Sequence, residues 1–168
     1  MSRPVTRDMT VAVFVTRGGS GTSGDGEPRV LLHEHARLER WLPPGGHIEL
    51  DELPDEAALR EVLEETGLAV ELVGEQVPIP SLAGEARQLA RPAGVQLVEI
   101  SPDHEHVDLV YLARADFGGE PTAGRWVAGT ELDDPALNLT AEVRAWCAHA
   151  LGRASGTTCL GMAVHDIG

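Results

Sequence analysis

The sequence predicts an α/β fold in which helices pack on a mixed β-sheet. Residues 9–17 and 29–35 are rich in apolar and β-branched side chains, which is typical of strands, and the two strands could pair as a hairpin with a long connection. Residues 54–66 and 140–151 have the features of two well-separated helices. Strands mixed with separated helices favour layers of helix on sheet, and a length of 168 residues suits a single domain.

The remaining elements follow in order along the chain. A flexible loop is predicted at residues 18–28, and a turn rich in proline and glycine at residues 41–49 leads into a short extended stretch. Further strands are predicted at residues 69–78, 95–100, 107–115 and 125–127, and residues 81–93 form a loop or a short helix. We expect a structured core of about residues 8–152 within the single domain 1–168, and a tail, residues 153–168, that is mobile or loosely docked.

The first predicted helix, residues 54–66, has clear start and stop signals. Pro54 suits the first helical position, the acidic residues after it favour the positive end of the helix dipole, and Gly67 suits the left-handed residue just past the end. Leu53 is a weak N-cap, because its side chain offers no oxygen. The predicted buried stripe consists of Ala58 and Val62, with Leu59 and Leu63 beside it.

Composition excludes several classes of function. The net charge of −14 argues against binding polymeric nucleic acid, because Lys and Arg make most phosphate contacts. All 13 basic residues are Arg, which excludes mechanisms that need a Lys, such as a Schiff base or a P-loop. The sequence shows no apolar run for a membrane span and no secretion signal, so we expect a cytoplasmic protein without membrane contact. Cys147 and Cys159 are expected to be free thiols.

Three glutamates crowd together on the first predicted helix, within the segment REVLEETG at residues 60–67. At about 100° per residue, Glu61, Glu64 and Glu65 project from one face, where like charges repel by about a few tenths of a kcal/mol. A solvated acidic face is the ordinary explanation of such a run. A site for a hard cation such as Mg²⁺ is the other explanation, since clustered carboxylates no longer repel each other once a cation lies among them.

The residues around these glutamates decide between the two explanations. The window runs Gly46, five residues, Glu52, seven residues, Arg60, Glu61, Val62, one residue, Glu64, Glu65, one residue, Gly67 and Leu68. This window resembles the Nudix box, G-x5-E-x7-R-E-U-x-E-E-x-G-U with U aliphatic, and every fixed position matches. The box covers only residues 46–68, but so many defined positions in one short window make a specific signal.

The resemblance implies an α/β/α sandwich with a mixed β-sheet between the helices. It also implies hydrolysis, with Mg²⁺ or Mn²⁺ as cofactor, of a nucleoside diphosphate linked to another group. The family's metal-binding glutamates correspond to Glu61, Glu64 and Glu65, and in some members the carbonyl of the glycine before the box, here Gly45, also binds metal.

The other box positions have expected roles as well. The box Arg and the first box Glu, here Arg60 and Glu52, usually pair and brace the loop against the helix, and we count Arg60 with the catalytic set. Gly46 and Gly67 are the structural glycines of the box. Independently of the family, water that attacks a diphosphate meets dense negative charge, which cations neutralise and positioned groups stabilise.

Histidines occur in two HEH stretches of the chain. Residues two apart share one face of a strand, so His33 with His35 and His104 with His106 could each form half of a four-histidine zinc site. Ordinary surface or partly buried histidines are the simpler explanation for the first pair. The second pair and Asp108 precede a predicted strand and are expected near a loop of the sheet.

Several residues are candidates for the substrate site. A carboxylate near the attacking water must remove its proton, and Glu61, Glu65 or a later glutamate, for which Glu105 is the candidate, are the alternatives. His106 is a candidate for phosphate contact, and His47, directly after the box glycine, for contact with the substrate. Polar residues at strand ends are the other explanation. Two tryptophans that could stack on a base, Trp41 and Trp126, are expected to pack in the core instead.

The sequence does not select one substrate. The family's ADP-ribose, NADH, dinucleoside polyphosphate and coenzyme A types are told apart by signatures outside the box, and none of them is recognisable in this sequence. Nucleotide sugars, nucleoside triphosphates and dinucleotides therefore all remain as small phosphorylated substrates. The alternative function is a non-catalytic nucleotide-binding or regulatory protein, which the complete box disfavours. Many relatives form homodimers, but the oligomeric state is not readable from the sequence.

Overall fold

A mixed β-sheet and two helices make up the part of the chain that the computed structural model describes, residues 4–18, 26–74, 84, 86–115 and 119–155. The strands are β1 (Thr6–Arg17), β2 (Arg29–His35), β3 (Arg40–Leu42), β4 (Gly45–His47), β5 (Val70–Val73), β6 (Gly94–Ser101), β7 (His104–Ala115) and β8 (Arg125–Ala128). The helices are α1 (Pro54–Thr66) and α2 (Ala141–Ala154), and short 3-10 turns lie at Gly129–Glu131 and Pro135–Leu137. Among the described residues, no helix is long and apolar enough to cross a membrane.

The centre of the sheet is a parallel pair, β1 and β7, in register from Thr6 opposite His104 to Thr16 opposite Arg114. Strands β2 and β4 both pair antiparallel with β1, and β5 and β6 both pair antiparallel with β7. Strands β3 and β8 extend the sheet from β2. The antiparallel pairing of β1 with β2 confirms the hairpin predicted for the first two strands.

Two hydrophobic layers lie on opposite faces of this sheet. Consecutive residues of β1 alternate between them, so that Val13 belongs to the layer under α1 and Phe14 to the layer under α2. The α1 layer includes Val15, Leu31, Ala58, Val62 and Tyr111, and the α2 layer includes Val30, Leu32, Val110, Val143, Cys147 and Leu151. Cys147 is a free and fully buried thiol, whereas Cys159 lies outside the described residues. The arrangement confirms the α/β/α sandwich.

Several predicted boundaries were wrong. Strand β7 begins at His104 rather than at residue 107, and β1 begins at Thr6 rather than at residue 9, because the two strands continue to pair through their polar N-terminal ends. Strand β5 ends at Val73, well before residue 78, and α2 continues to Ala154. The predictions for residues 19–25, 75–83, 85 and the tail from residue 156 fall outside the described residues.

Helix α1 begins and ends as its sequence predicts. Glu56 Oε2 accepts a hydrogen bond from the Leu53 N–H at 3.2 Å, which joins the first turn of the helix to its N-cap residue although the Leu53 side chain offers no oxygen. Gly67 has φ 72° and its N–H donates to the Leu63 carbonyl, which confirms the left-handed end. The predicted buried stripe of Ala58 and Val62 is confirmed and also includes Ala57 and Thr66, whereas Leu59 and Leu63 beside it are exposed.

Candidate active site and metal centre

Two glycines bring β4 very close to its neighbours. Gly45 and Gly46 pair with Ala12 and Val11 of β1. A Cβ atom at Gly45 would overlap the Val11 carbonyl oxygen, and a Cβ atom at Gly46 would overlap the carboxylate of Glu61. The first glycine is therefore required by backbone packing, whereas the second leaves the space into which the Glu61 side chain fits.

Arg60 lies at the centre of a group of carboxylates. Its Nε and Nη2 donate to the two oxygens of Glu52 at 2.7 and 2.9 Å. Its Nη1 donates to Glu61 at 2.8 Å and to Glu64 at 3.3 Å, and Nη2 also donates to the carbonyl of His47 at 3.1 Å. The Arg60 guanidinium holds the pKa of Glu52 below its usual range. Through these contacts Arg60 ties α1 to the loop before it and orients the acidic side chains.

Glu65 is fixed by a different partner. Its Oε2 accepts a hydrogen bond from the Gly45 N–H at 3.0 Å and lies 3.2 Å from Nε2 of His33. Burial raises the pKa of Glu65, and the Gly45 N–H and His33 oppose that rise. Glu65 is therefore a partly buried carboxylate held in place by β4, the strand that also carries the box glycine Gly46.

The donor set at this end of α1 fits a hard divalent cation. Glu52, Glu61 and Glu64 share the single positive charge of Arg60, and Glu65 adds a further carboxylate, so negative charge is in excess. Carboxylate oxygens are the ligands that Mg²⁺ and Mn²⁺ prefer. The exposed fractions of the side chains are 13% for Glu61 and 61% for Glu64, so the group extends from the interior to the solvent.

A groove of about 300 Å³ joins this acidic group to the sheet face beneath α2. Its walls include Glu65 of α1, His47 of β4, Gln96 of β6, His106 of β7 and Glu142 of α2. Gly45 and Gly46 of β4 also line the groove, so it runs directly past the start of the box. A ligand that extends from the α1 carboxylates into the sheet would lie here.

A polar network lines the part of the groove next to α2. Asp108 accepts hydrogen bonds from the Thr10 hydroxyl at 3.0 Å and from Gln96 Nε2 at 3.2 Å, and burial raises its pKa. Gln96 Nε2 also donates to Glu142 at 2.9 Å, while its Oε1 accepts from the indole of Trp146 at 2.9 Å. Sequence reasoning singled out Asp108 but missed Gln96 and Glu142. Alternation along β6 could have signalled Gln96, but nothing local signals its contact with Glu142 of α2, which is 46 positions away.

Asp8 lies among three histidines on the strands beside the groove. His47 Nε2 and His104 Nε2 lie 3.5 and 3.6 Å from the same Asp8 oxygen, Oδ2. The ring of His106 meets those of His47 and His104 edge to face, at centroid distances of 4.9 and 5.0 Å. Burial and the two neighbouring histidines lower the pKa of His106. Sequence reasoning missed Asp8, because its approach to the histidines depends on the register of β1 against β7.

The four-histidine zinc site does not form. Strand β1 separates β2, which carries His33 and His35, from β7, which carries His104 and His106. His33 instead contacts Glu65 on the α1 side of the sheet.

The other candidate residues fall into two groups. Glu105 lies on the opposite face of β7 from His106, and its carboxylate accepts a hydrogen bond from Arg7 Nε at 2.7 Å. Contact of Glu105, His106 or His47 with a substrate stays a prediction. The expected core packing is confirmed for Trp126, which is buried, and Trp41 is partly buried against the α2 layer.

Comparisons with known proteins agree with this geometry. The sequence profile of the NUDIX domain matches residues 6–151. A NUDIX-family hydrolase from Clostridium perfringens is similar in structure, with a TM-score of 0.69 and 34% identity over 89% of this chain and 99% of that one. An Ap4A hydrolase from C. elegans superimposes with a TM-score of 0.56 over 90% of this chain and 97% of that one, but at 16% identity it shows the fold alone.

Other relatives match only a short segment. The m7GpppN-mRNA hydrolase NUDT17 of Danio rerio is 71% identical over 28 residues, which are 17% of this chain and 9% of that protein. Diphosphoinositol polyphosphate phosphohydrolase 3-alpha of Mus musculus is 51% identical over 43 residues, or 25% and 26% of the two chains. The domain match over most of the sequence and the nearly full-length similarity to the C. perfringens protein carry the assignment. The chain therefore belongs to the Nudix family of hydrolases.

Proposed function

We propose that this protein hydrolyses a pyrophosphate bond in a nucleoside diphosphate linked to another group, with Mg²⁺ or Mn²⁺ as cofactor. The observation that carries the proposal is the group of carboxylates on α1, which share one guanidinium beside a groove. Glu61, Glu64 and Glu65 would hold the cation, and the carbonyl of Gly45 is the candidate for a further ligand. A bound divalent cation supplies neutralisation of phosphate charge and polarisation of the P–O bonds.

The chain's own residues supply positioning and a proton acceptor. Arg60 orients Glu61 and Glu64 through its hydrogen bonds, and the Gly45 N–H orients Glu65. Glu61 and Glu65 remain the alternatives for the carboxylate that takes a proton from the attacking water.

The groove supports an orientation for the substrate. Phosphate groups carry negative charge, so they belong at the end where Glu61, Glu64 and Glu65 would hold the cation. The other end carries Gln96, Glu142 and buried Asp108, which suit hydrogen bonds to an uncharged polar group such as a base or a sugar. We therefore place the nucleoside, or the group linked to it, against β6 and α2.

The names of the relatives support the reaction class but not one substrate. They specify an mRNA cap, diphosphoinositol polyphosphates and Ap4A, and these belong to those proteins. A nucleotide sugar, a nucleoside triphosphate and a dinucleotide remain the substrate classes to test here. The alternative function is nucleotide binding without turnover, and the complete set of box carboxylates favours the enzyme.

The proposal is tested with a panel of these three substrate classes. Each is incubated with the full chain and Mg²⁺, Mn²⁺ or EDTA, and released phosphate, pyrophosphate and nucleoside monophosphate are measured. We expect turnover of at least one class with either metal and none with EDTA. Binding of nucleotides by calorimetry without turnover of any of them would favour the binding protein instead.

A further inference from the structure

A second group of ligating side chains lies on the central strands of the sheet, apart from the α1 carboxylates. In the parallel ladder Asp8 stands opposite His106 and Thr6 stands opposite His104, so these side chains share one face. His47 joins them from β4. Ligand atoms of Asp8, His104 and His106 all lie within 4.8 Å of one another, and Glu61, Glu64 and Glu65 take no part in this group.

The spacing of these side chains is close to that of a tetrahedral metal site. With zinc–ligand bonds of about 2.0–2.1 Å, neighbouring donor atoms of a tetrahedral site lie roughly 3.4 Å apart. His47 Nε2 and His104 Nε2 lie 3.5 and 3.6 Å from Oδ2 of Asp8. His106 packs edge to face against both of the other rings, and its ligand nitrogen lies within 4.8 Å of the ligand atoms of Asp8 and His104.

The hydrogen bonds of Thr6 favour one tautomer of His104. The single hydroxyl proton of Thr6 is donated to the carbonyl of Asp103 at 3.1 Å, and the same oxygen lies 2.9 Å from His104 Nδ1. Both contacts are satisfied together only when Nδ1–H is the donor. In the neutral ring the lone pair is then on Nε2, which points toward the carboxylate of Asp8. A metal ion between these two acceptors would bind both of them.

One metal ion between these side chains would contact the carboxylate of Asp8 and the ring nitrogens of His104 and His106 together. A neutral imidazole whose other N–H is held by a hydrogen bond is the usual form of a histidine ligand.

We propose that Asp8, His104 and His106 bind one zinc-type transition-metal ion, with His47 beside them, at a site distinct from the magnesium or manganese site proposed on α1. Imidazole ligands select zinc and its neighbours over Mg²⁺. Thr6 is a positioning residue that holds His104 in the ligating tautomer. Asp8 and His47 have half or more of their side-chain surface exposed, so the ion can enter from solvent. Since His47 and His106 also line the groove, the ion would lie at its rim.

The test is a calorimetric titration of Zn²⁺ into the metal-stripped full chain in the presence of excess Mg²⁺. The parent is the Glu64→Gln variant, which weakens zinc binding by the α1 carboxylates. We expect one zinc ion per chain, a rise in melting temperature with zinc, and affinity about tenfold or more weaker in His104→Ala and in Thr6→Val. The matched control is His149→Ala, which removes a histidine of α2 that packs edge to face against Trp146, and this variant should bind zinc like the parent.

Two outcomes would overturn the site. One is a parent that binds no zinc, which would leave the cluster as ion pairs only. The other is a folded His104→Ala variant with the parent's affinity. If His104→Ala does not fold, Asp8→Asn takes its place, because half of the Asp8 side chain is exposed and the amide is of the same size. The readouts are binding and melting temperature, so the result is separate from whether the protein hydrolyses a pyrophosphate.

Discussion

Arg60 and Glu52 form a bidentate ion pair, with Nε to Oε1 at 2.7 Å and Nη2 to Oε2 at 2.9 Å. The pair joins the middle of α1 to the residue two positions before that helix. The remaining N–H groups of Arg60 reach Glu61, Glu64 and the carbonyl of His47. Arg60 therefore acts as a positioning residue, which sets where the box carboxylates lie.

Replacing Arg60 by Lys should damage both stability and activity. Lys retains the charge but cannot make two parallel hydrogen bonds to Glu52 while it also reaches Glu61 and Glu64. We expect the free energy of unfolding to fall by about 1–2 kcal/mol, and kcat to fall about 10- to 100-fold because the carboxylates shift. Chemical denaturation and steady-state kinetics measure the two effects.

Arg114→Lys is the matched control for this variant. Arg114 pairs with Glu71 at 3.3 Å on the surface, so its replacement should cost only about 0–1 kcal/mol and leave kcat unchanged. Equal losses in the two variants would contradict the positioning role of Arg60.

The Arg60–Glu52 ion pair also predicts how stability depends on pH. The pKa of Glu52 is lowered from its ordinary value of 4.5 by the hydrogen bonds from Arg60. A lowered folded-state pKa means that ionised Glu52 stabilises the fold above the unfolded pKa, and that this contribution is lost as the pH falls through the folded pKa. In metal-free buffer, the melting temperature of Glu52→Gln should therefore lie furthest below that of the wild type near neutral pH. The difference in melting temperature should shrink below pH 4.5. A difference independent of pH would exclude a stabilising contribution from ionised Glu52.

Alanine at the two adjacent glycines should give different defects. At Gly45 the added Cβ overlaps the backbone carbonyl of Val11, which cannot move without breaking the β1–β4 pairing, so we expect a loss of about 1–3 kcal/mol in stability. At Gly46 the Cβ overlaps only the side chain of Glu61, which can turn away. Gly46→Ala should therefore fold but lose activity.

The control for the glycine variants is Gly26→Ala, where a Cβ would meet no atom within 4 Å. Denaturation curves and hydrolysis rates are measured for all three proteins. Equal stability of Gly45→Ala and Gly26→Ala would show that the close approach of β4 to β1 is wrong.

The buried thiol of Cys147 should be unreactive in the native state. Burial raises its pKa to about 12, so almost no thiolate is present at neutral pH. In a Cys159→Ser variant we expect slow labelling by a thiol reagent under native conditions and rapid labelling in denaturant. Rapid labelling of the folded protein would mean that α2 does not pack against the sheet in a way that buries Cys147.

Sequence reasoning found the parts of the site that lie close together in the chain. The box fixes Glu52, Arg60 and the three glutamates through helical spacing, and hydrophobic content fixes most of the strands. It could not find the Asp8–His104 contact or the Gln96–Glu142 bond, because each depends on the pairing or docking of distant elements. It also misplaced the start of β7, because a polar segment such as HEHVD gives no strand signal until its parallel partner is known.

The buried face of α1 was also only partly predictable from the sequence. The sequence predicted a buried stripe of Ala58 and Val62 with Leu59 and Leu63 beside it, and both leucines are exposed. The side chains that pack against the sheet are those of Ala57, Ala58 and Val62. Their small size lets the helix approach the sheet closely.

The proposed role of the α1 carboxylates is to hold the cation for pyrophosphate hydrolysis. Its most direct test is the metal-dependent rate of Glu64→Gln on whichever substrate the parent turns over, beside Glu71→Gln, which removes an exposed glutamate of β5 paired with Arg114. We predict that Glu64→Gln loses most activity while its circular dichroism and melting temperature stay close to those of the parent, and that Glu71→Gln keeps full activity. Full activity in a folded Glu64→Gln protein would contradict the assignment.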